Sequence, residues 1–143
     1  MIDLNRQAQL RTAIESLYFA YRGFTDRPDR MLERRGLGRV HHRILYFIGS
    51  RPDVSVKGLL DLLAVSKQAL NAPLRQLLEM GLVAAVEGTE DRRVKNLRLT
   101  AEGQRLEAEL TGAQMKHLQA AFDSAGPAAE QGWRDVMVAL VEG

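Results

Sequence analysis

Residues 81–100 constrain this chain most. Two short apolar segments, Leu82–Val86 and Val94–Leu99, flank a glycine-containing polar tip that carries Asp91, Arg92 and Arg93. Short apolar runs on either side of such a tip predict a β-hairpin with a long, charged loop. Directly before it, Ser66–Met80 sets lysine, glutamine, asparagine and arginine among leucines, which predicts a helix with one polar side. A helix followed by an arginine-tipped hairpin suits a surface that straddles a nucleic-acid backbone. The helix fits the major groove, and the tip the minor groove. The expectation is a DNA-binding winged helix.

The rest of the chain reads as helices. Leu10, Ile14, Leu17, Tyr18 and Tyr21 recur at helical spacing and predict a first helix over residues 4–21. Residues 23–36 contain turn formers, including Pro28, and predict a loop or a broken helical turn. A second helix is expected over Gly38–Gly49, broken by Arg51, Pro52 and Asp53. Ser55 suits the N-cap of a third helix reaching about Leu63. Ala64 and Val65 form a tight turn, Ser66 caps the fourth helix, and Gly81 ends it. Thr100 caps a long fifth helix with Glu102 in its first turn and Leu106, Leu110, Ala113 and His117 along one face. Pro127 opens a sixth helix striped by Trp133, Val136, Met137 and Leu140.

The expected fold class is therefore mainly α with a small β-hairpin wing. Residues 37–100 would form a winged helix-turn-helix, and residues 1–36 and 101–143 a helical dimerisation region. The terminal helices carry apolar stripes with no sheet to cover. Short helices gain most of their stability from packing such stripes, so a two-fold homodimer with intertwined ends is expected. The alternative is a monomeric six-helix domain that folds its own ends together.

Charge supports a polyanionic partner. Residues 22–98 hold 15 lysines and arginines against 9 acidic residues, a net +6, whereas residues 99–143 carry −4. The local excess governs binding, because more distant charges are screened beyond about 10 Å at 0.1 M salt. Without cysteine there are no disulfides and no thiolate metal site. No apolar run approaches membrane-spanning length, and residues 1–6 do not read as a secretion signal, so a cytoplasmic location is the default. Catalytic signatures such as G-x-S-x-G or H-E-x-x-H are missing, which argues against an enzyme. His41 and His42 are adjacent and point about 100° apart on a helix, so they do not form a metal pair; no metal or cofactor is expected.

The run from Ser55 to Leu70, continuing through Leu77 to Val83, resembles the helix-turn-helix of the MarR (multiple antibiotic resistance regulator) family. The run from Asp91 to Gly103 is similar to that family's wing, in which an aspartate and arginines precede a short strand and a Leu-Thr helix start. The resemblance spans nearly the whole chain. It implies a dimeric transcriptional regulator, here read as a repressor, that binds a palindromic operator and is released by a small aromatic or phenolic ligand. Four positions depart from the pattern. Leu60 stands where alanine is usual, Leu62 where a polar residue is common, and Ala64 where a turn glycine is expected. Pro73 falls in the middle of the recognition helix, where it removes one hydrogen bond and costs roughly 3 kcal/mol. Either that helix kinks at Pro73, or Asn71 caps a helix restarting near Ala72.

The candidate site residues follow. Ser66 and Lys67 are assigned to phosphates, Gln68 and Asn71 to adenine edges, and Arg75 to guanine or a phosphate. Arg92 and Arg93 are the wing-tip candidates, with Lys95 and Arg98 extending to the backbone. The resemblance implies that Arg93 inserts into the minor groove and that Asp91 holds the wing by pairing with a nearby basic residue. It also places a ligand pocket between the helix-turn-helix and the terminal helices, near Tyr18, Tyr21, Arg22, His42 and Tyr46. A plain aromatic core at those positions is the competing reading. The rival function is a winged-helix protein-interaction or ligand-sensing module without strong DNA binding, a reading that Pro73 and Leu62 favour.

Overall fold

The computed structural model describes residues 1–88 and 90–143; Thr89, within the predicted wing tip, lies outside the described residues. Among the described residues, six helices and three short strands follow in the order α1 (Leu4–Glu33), α2 (Arg39–Ser50), β1 (Val54–Ser55), α3 (Val56–Leu63), α4 (Lys67–Glu79), β2 (Val83–Glu87), β3 (Lys95–Leu99), α5 (Ala101–Ala125) and α6 (Pro127–Glu142). The expected helix starts are there. Ser55, Ser66 and Thr100 each accept a backbone N–H, from Gly58, Ala69 and Gly103 respectively, satisfying donors that a helix start leaves unpaired.

The predicted break at residues 23–36 is confined to its end: α1 runs through Gly23 and Pro28 to Glu33, and the turn is Arg34–Gly36. Thr25, Pro28 and Leu32 form its buried stripe, spaced by three and four residues. Proline denies the Phe24 carbonyl its helical donor, but the ring is itself buried on the core, and burying a Leu-sized side chain contributes about 1.5–3 kcal/mol. An Asp26–Arg30 pair at 3.0 Å bridges the same turn. Tertiary packing outweighs the local signal.

The hairpin β2–β3 pairs Val83 with Leu99 and Glu87 with Lys95 in antiparallel register. A third strand was not anticipated. Val54 and Ser55 of β1 pair with Leu97 and Asn96, giving the sheet order β1-β3-β2. Two residues are too few to show a period of two, so only the tertiary partner reveals β1.

One core ties the elements together, centred on Leu32, Ile44, Leu45, Ile48, Leu59, Leu70, Leu77, Leu82, Leu97 and Leu110. The wing is fixed to α5 by a close approach at Gly103, where an added Cβ would lie 1.9 Å from the Leu82 carbonyl oxygen. Thr100 reinforces that junction by donating its hydroxyl to the Gly81 carbonyl at 2.6 Å.

The terminal helices are different. No residue of α6 is buried. Ile14, Leu17, Tyr18 and Phe19 on α1 and Trp133, Val136 and Leu140 on α6 are all exposed. Phe122 and Trp133 stack edge to face at 5.3 Å, joining α5 to α6 without covering either stripe. Among the described residues, no helix is long and apolar enough to cross a membrane.

Candidate nucleic-acid interface

The helix-turn-helix is α3, the turn and α4. Ala64 takes the left-handed conformation, φ 53°, at the turn where glycine would sit without strain. Ser66 then caps α4, which starts at Lys67 and continues through Pro73. The restart at Ala72 with Asn71 as cap is therefore overturned. The reason lies in the partners available: Ser66 already satisfies the first turn, and Leu70, Leu74 and Leu77 bury one continuous stripe across the proline.

Ser66, Lys67, Gln68, Asn71 and Arg75 are all exposed, on the side of α4 away from that stripe. Their side chains are free of ion pairs among the described residues. Leu60, one of the departures from the family pattern, packs against the core, and Leu62 is exposed.

At the wing, the Gly88 N–H donates to the Val94 carbonyl at 2.8 Å, and the Val94 N–H donates to the Asp91 carbonyl at 3.1 Å. Gly88 is obligatory there, since an added Cβ would come within 2.7 Å of the Asp91 carbonyl oxygen. The basic partner of Asp91 is Arg93 itself. Arg93 donates its backbone N–H at 3.0 Å and two guanidinium N–H groups at 3.2 Å to the Asp91 carboxylate. These bonds hold the Asp91 carboxyl below its ordinary value, the side-chain bond contributing most. The Arg93 side chain nevertheless stays 92% exposed, so it is aimed rather than sequestered. Arg92 is exposed beside it.

Two other wing cations are engaged. Lys95 lies 3.9 Å from Glu87 across the hairpin. Arg98 bonds Asp53, which lowers the Asp53 carboxyl and raises the arginine, and so ties β3 to the turn before β1. Arg98 thereby braces the sheet, while its side chain stays 58% exposed.

The five ligand candidates lie on α1 and α2 and do not line the cleft between α1 and α5. Tyr21 accepts from Arg43 at 2.7 Å and lies under the Arg39 guanidinium, which also bonds Asp29 at 2.7 Å. Tyr18 meets Phe19 edge to face, as Tyr46 does Phe47. Arg22 lies over the Phe19 ring at 6.0 Å. His42 is buried, facing the Thr111 hydroxyl of α5 at 3.2 Å; burial pushes its imidazole below the ordinary value, against the opposing pull of Glu107 and Asp29. A cleft of about 410 Å³ opens elsewhere, between α1 and α5, beside Phe24, Arg27, Lys116 and His117.

Sequence reasoning also passed over Gln76, and saw in His41 only a neighbour of His42. The two bond one another at 2.9 Å, linking α2 to α4. Polar residues 35 positions apart carry no local signal of such a pairing.

The MarR family profile matches residues 35–94, the second helix through the wing tip. The chain is 46% identical over 134 residues to the HTH-type transcriptional regulator PetP of Rhodobacter capsulatus, covering 94% of this chain and 81% of that protein. Its fold is also that of Staphylococcus aureus MarR solved with salicylate and kanamycin, with a TM-score of 0.76, 22% identity and coverage of 96% and 93% of the two chains. A Staphylococcus aureus MepR–DNA complex gives a TM-score of 0.73 at 15% identity, over 90% of this chain and 95% of that one. The helix order, the capped helix-turn-helix, the clipped wing and these similarities lead to one conclusion: the chain belongs to the MarR family of transcriptional regulators.

Proposed function

We propose that this protein is a homodimeric, sequence-specific DNA-binding repressor released by a small ligand. In this reading residues 37–100 read DNA, and residues 1–36 and 101–143 join two copies. The observation that carries it is the sorting of side chains: Ser66, Lys67, Gln68, Asn71, Arg75, Arg92, Arg93 and Lys95 are all exposed, while the apolar residues between them hold α4 and the wing on the core. Ser66 and Lys67 set the register on phosphates, and Gln68 and Asn71 face adenine edges. Arg75 takes a guanine or a phosphate. The Asp91-clipped Arg93, with Arg92, enters an adjacent minor groove whose narrowing concentrates negative potential.

The uncovered stripes of α1 and α6 support a dimer, since a helix with no buried residue has little to hold it in place. A two-fold dimer would set its half-sites about 10 base pairs apart. Two similar structures, the MepR–DNA complex and the MarR solved with salicylate and kanamycin, support the duplex and a small aromatic acid as the partners. The rival protein-interaction reading rested on Pro73 and Leu62. The first of these falls away because α4 runs through the proline with its polar side exposed, whereas Leu62 is exposed as that reading expects.

Titration of a fluorescent random-sequence duplex at several salt concentrations tests the reading. Neutralised phosphates predict a logarithmic slope of about −0.9 per contact, hence a steep loss of affinity with salt. A flat response, or no binding at low ionic strength, would favour the interaction module.

A further inference from the structure

Three directed hydrogen bonds start and end in the link between α1 and α2. The Gly38 N–H donates to His41 Nδ1 at 2.9 Å. With Nδ1 an acceptor, the neutral ring carries its proton on Nε2, which donates to Gln76 Oε1 at 2.9 Å. Gln76 Nε2 in turn donates to the Gly36 carbonyl at 3.3 Å. Every donor in the chain meets an acceptor, so only one orientation of the Gln76 amide and one tautomer of His41 complete it. His41 is buried at 8% exposure.

This chain is the directional anchor of α4. Leu70, Leu74 and Leu77 fix which face of the helix is buried, but apolar burial is non-directional and sets the fine rotation about the axis less sharply than a hydrogen bond does. Among the described residues, every side-chain hydrogen bond between α4 and another element passes through Gln76. Pro73, one turn before it, removes a rung of the helix's own ladder and so increases the need for an outside anchor. Base reading by Gln68 and Asn71 demands angular accuracy, because bidentate hydrogen bonds weaken steeply off axis.

We propose that His41 and Gln76 are positioning residues for DNA recognition: the chain Gly38–His41–Gln76–Gly36 fixes the rotation of α4 so that Gln68 and Asn71 meet the base edges. The inference rests on the proposed DNA-binding function and assigns it two residues that do not themselves touch DNA.

The test compares two duplexes at one salt concentration, one selected from a randomised pool by the unaltered protein and one of random sequence. His41→Leu and Gln76→Leu should each lower the ratio of selected to random affinity by about tenfold or more, the scale of a lost base contact. Affinity for the random duplex, set by phosphates, should stay within about threefold. The double variant should lose no more than either single one, the mark of a shared interaction. His41→Gln, whose amide offers an acceptor and a donor, should recover most of the ratio. An unchanged ratio in Gln76→Leu, at a half-buried position, overturns the proposal even if His41→Leu unfolds. Fully additive losses in the double variant overturn it too. Failure of the unaltered protein to bind either duplex would defeat the DNA-binding reading itself, whereas selective binding indifferent to both variants defeats only the positioning role.

Discussion

At the wing tip, Arg93 is held in a fixed direction by the carboxylate it is paired with and remains almost fully exposed. Such preorganisation lowers the entropy lost when the guanidinium enters a groove. Arg93→Ala is therefore expected to weaken binding to a selected operator duplex by about tenfold or more, roughly 1.4 kcal/mol, in a salt-controlled fluorescence titration. Unchanged affinity would remove the wing from the interface. His42 makes a different prediction. Burial lowers its folded-state value, so below the unfolded value of about 6.5 the unfolded chain binds more protons than the folded one. The stability associated with neutral His42 is thus fully present above about pH 6.5 and is lost as pH falls from there through the lower folded-state value. Urea unfolding at about pH 7.5 and about pH 5.5 should show a smaller acid loss for His42→Gln than for the unaltered protein. Equal losses would place the pH sensitivity elsewhere.

Among the elements, α4 is the one whose sequence and conformation disagree most. Pro73 costs a helix interior roughly 3 kcal/mol, yet the helix persists because Ser66 caps it and three buried leucines cross the proline. Restoring the missing N–H with Pro73→Ala should raise stability by about 1–3 kcal/mol in urea unfolding, the lower figure allowing for lost packing of the half-buried ring. A loss of stability would mean the ring's contacts outweigh the hydrogen bond. The same contest is settled the same way in α1, where Pro28 and its neighbours read as a break until the buried stripe of Thr25, Pro28 and Leu32 is in place. Both prolines sit inside helices whose apolar period continues on either side.

For the molecule as a whole, the exposed stripes on α1 and α6 are what the proposed dimer would cover. Exposed apolar residues recurring along a helix face are the kind of surface that an interaction buries. Leu140→Glu places a charge within the α6 stripe, and sedimentation velocity should then show a shift from dimer to monomer at micromolar concentration. DNA affinity should fall with it, because two half-sites would no longer be joined. A protein that sediments as a monomer before any substitution would refute the two-fold arrangement.

The helix starts, the hairpin and the family were legible in the residues, because caps, glycine ends and apolar periods act within a few positions of one another. Ser55, Ser66 and Thr100 announce their helices by local hydrogen bonding alone. What only the tertiary structure decided is long in range: β1 exists because Leu97 and Asn96 are there to pair with it, α1 stays whole because its proline is buried, and His41 finds Gln76 across the fold. A chain advertises interactions that recur with a short period. It hides those whose partners are brought together only when the core closes.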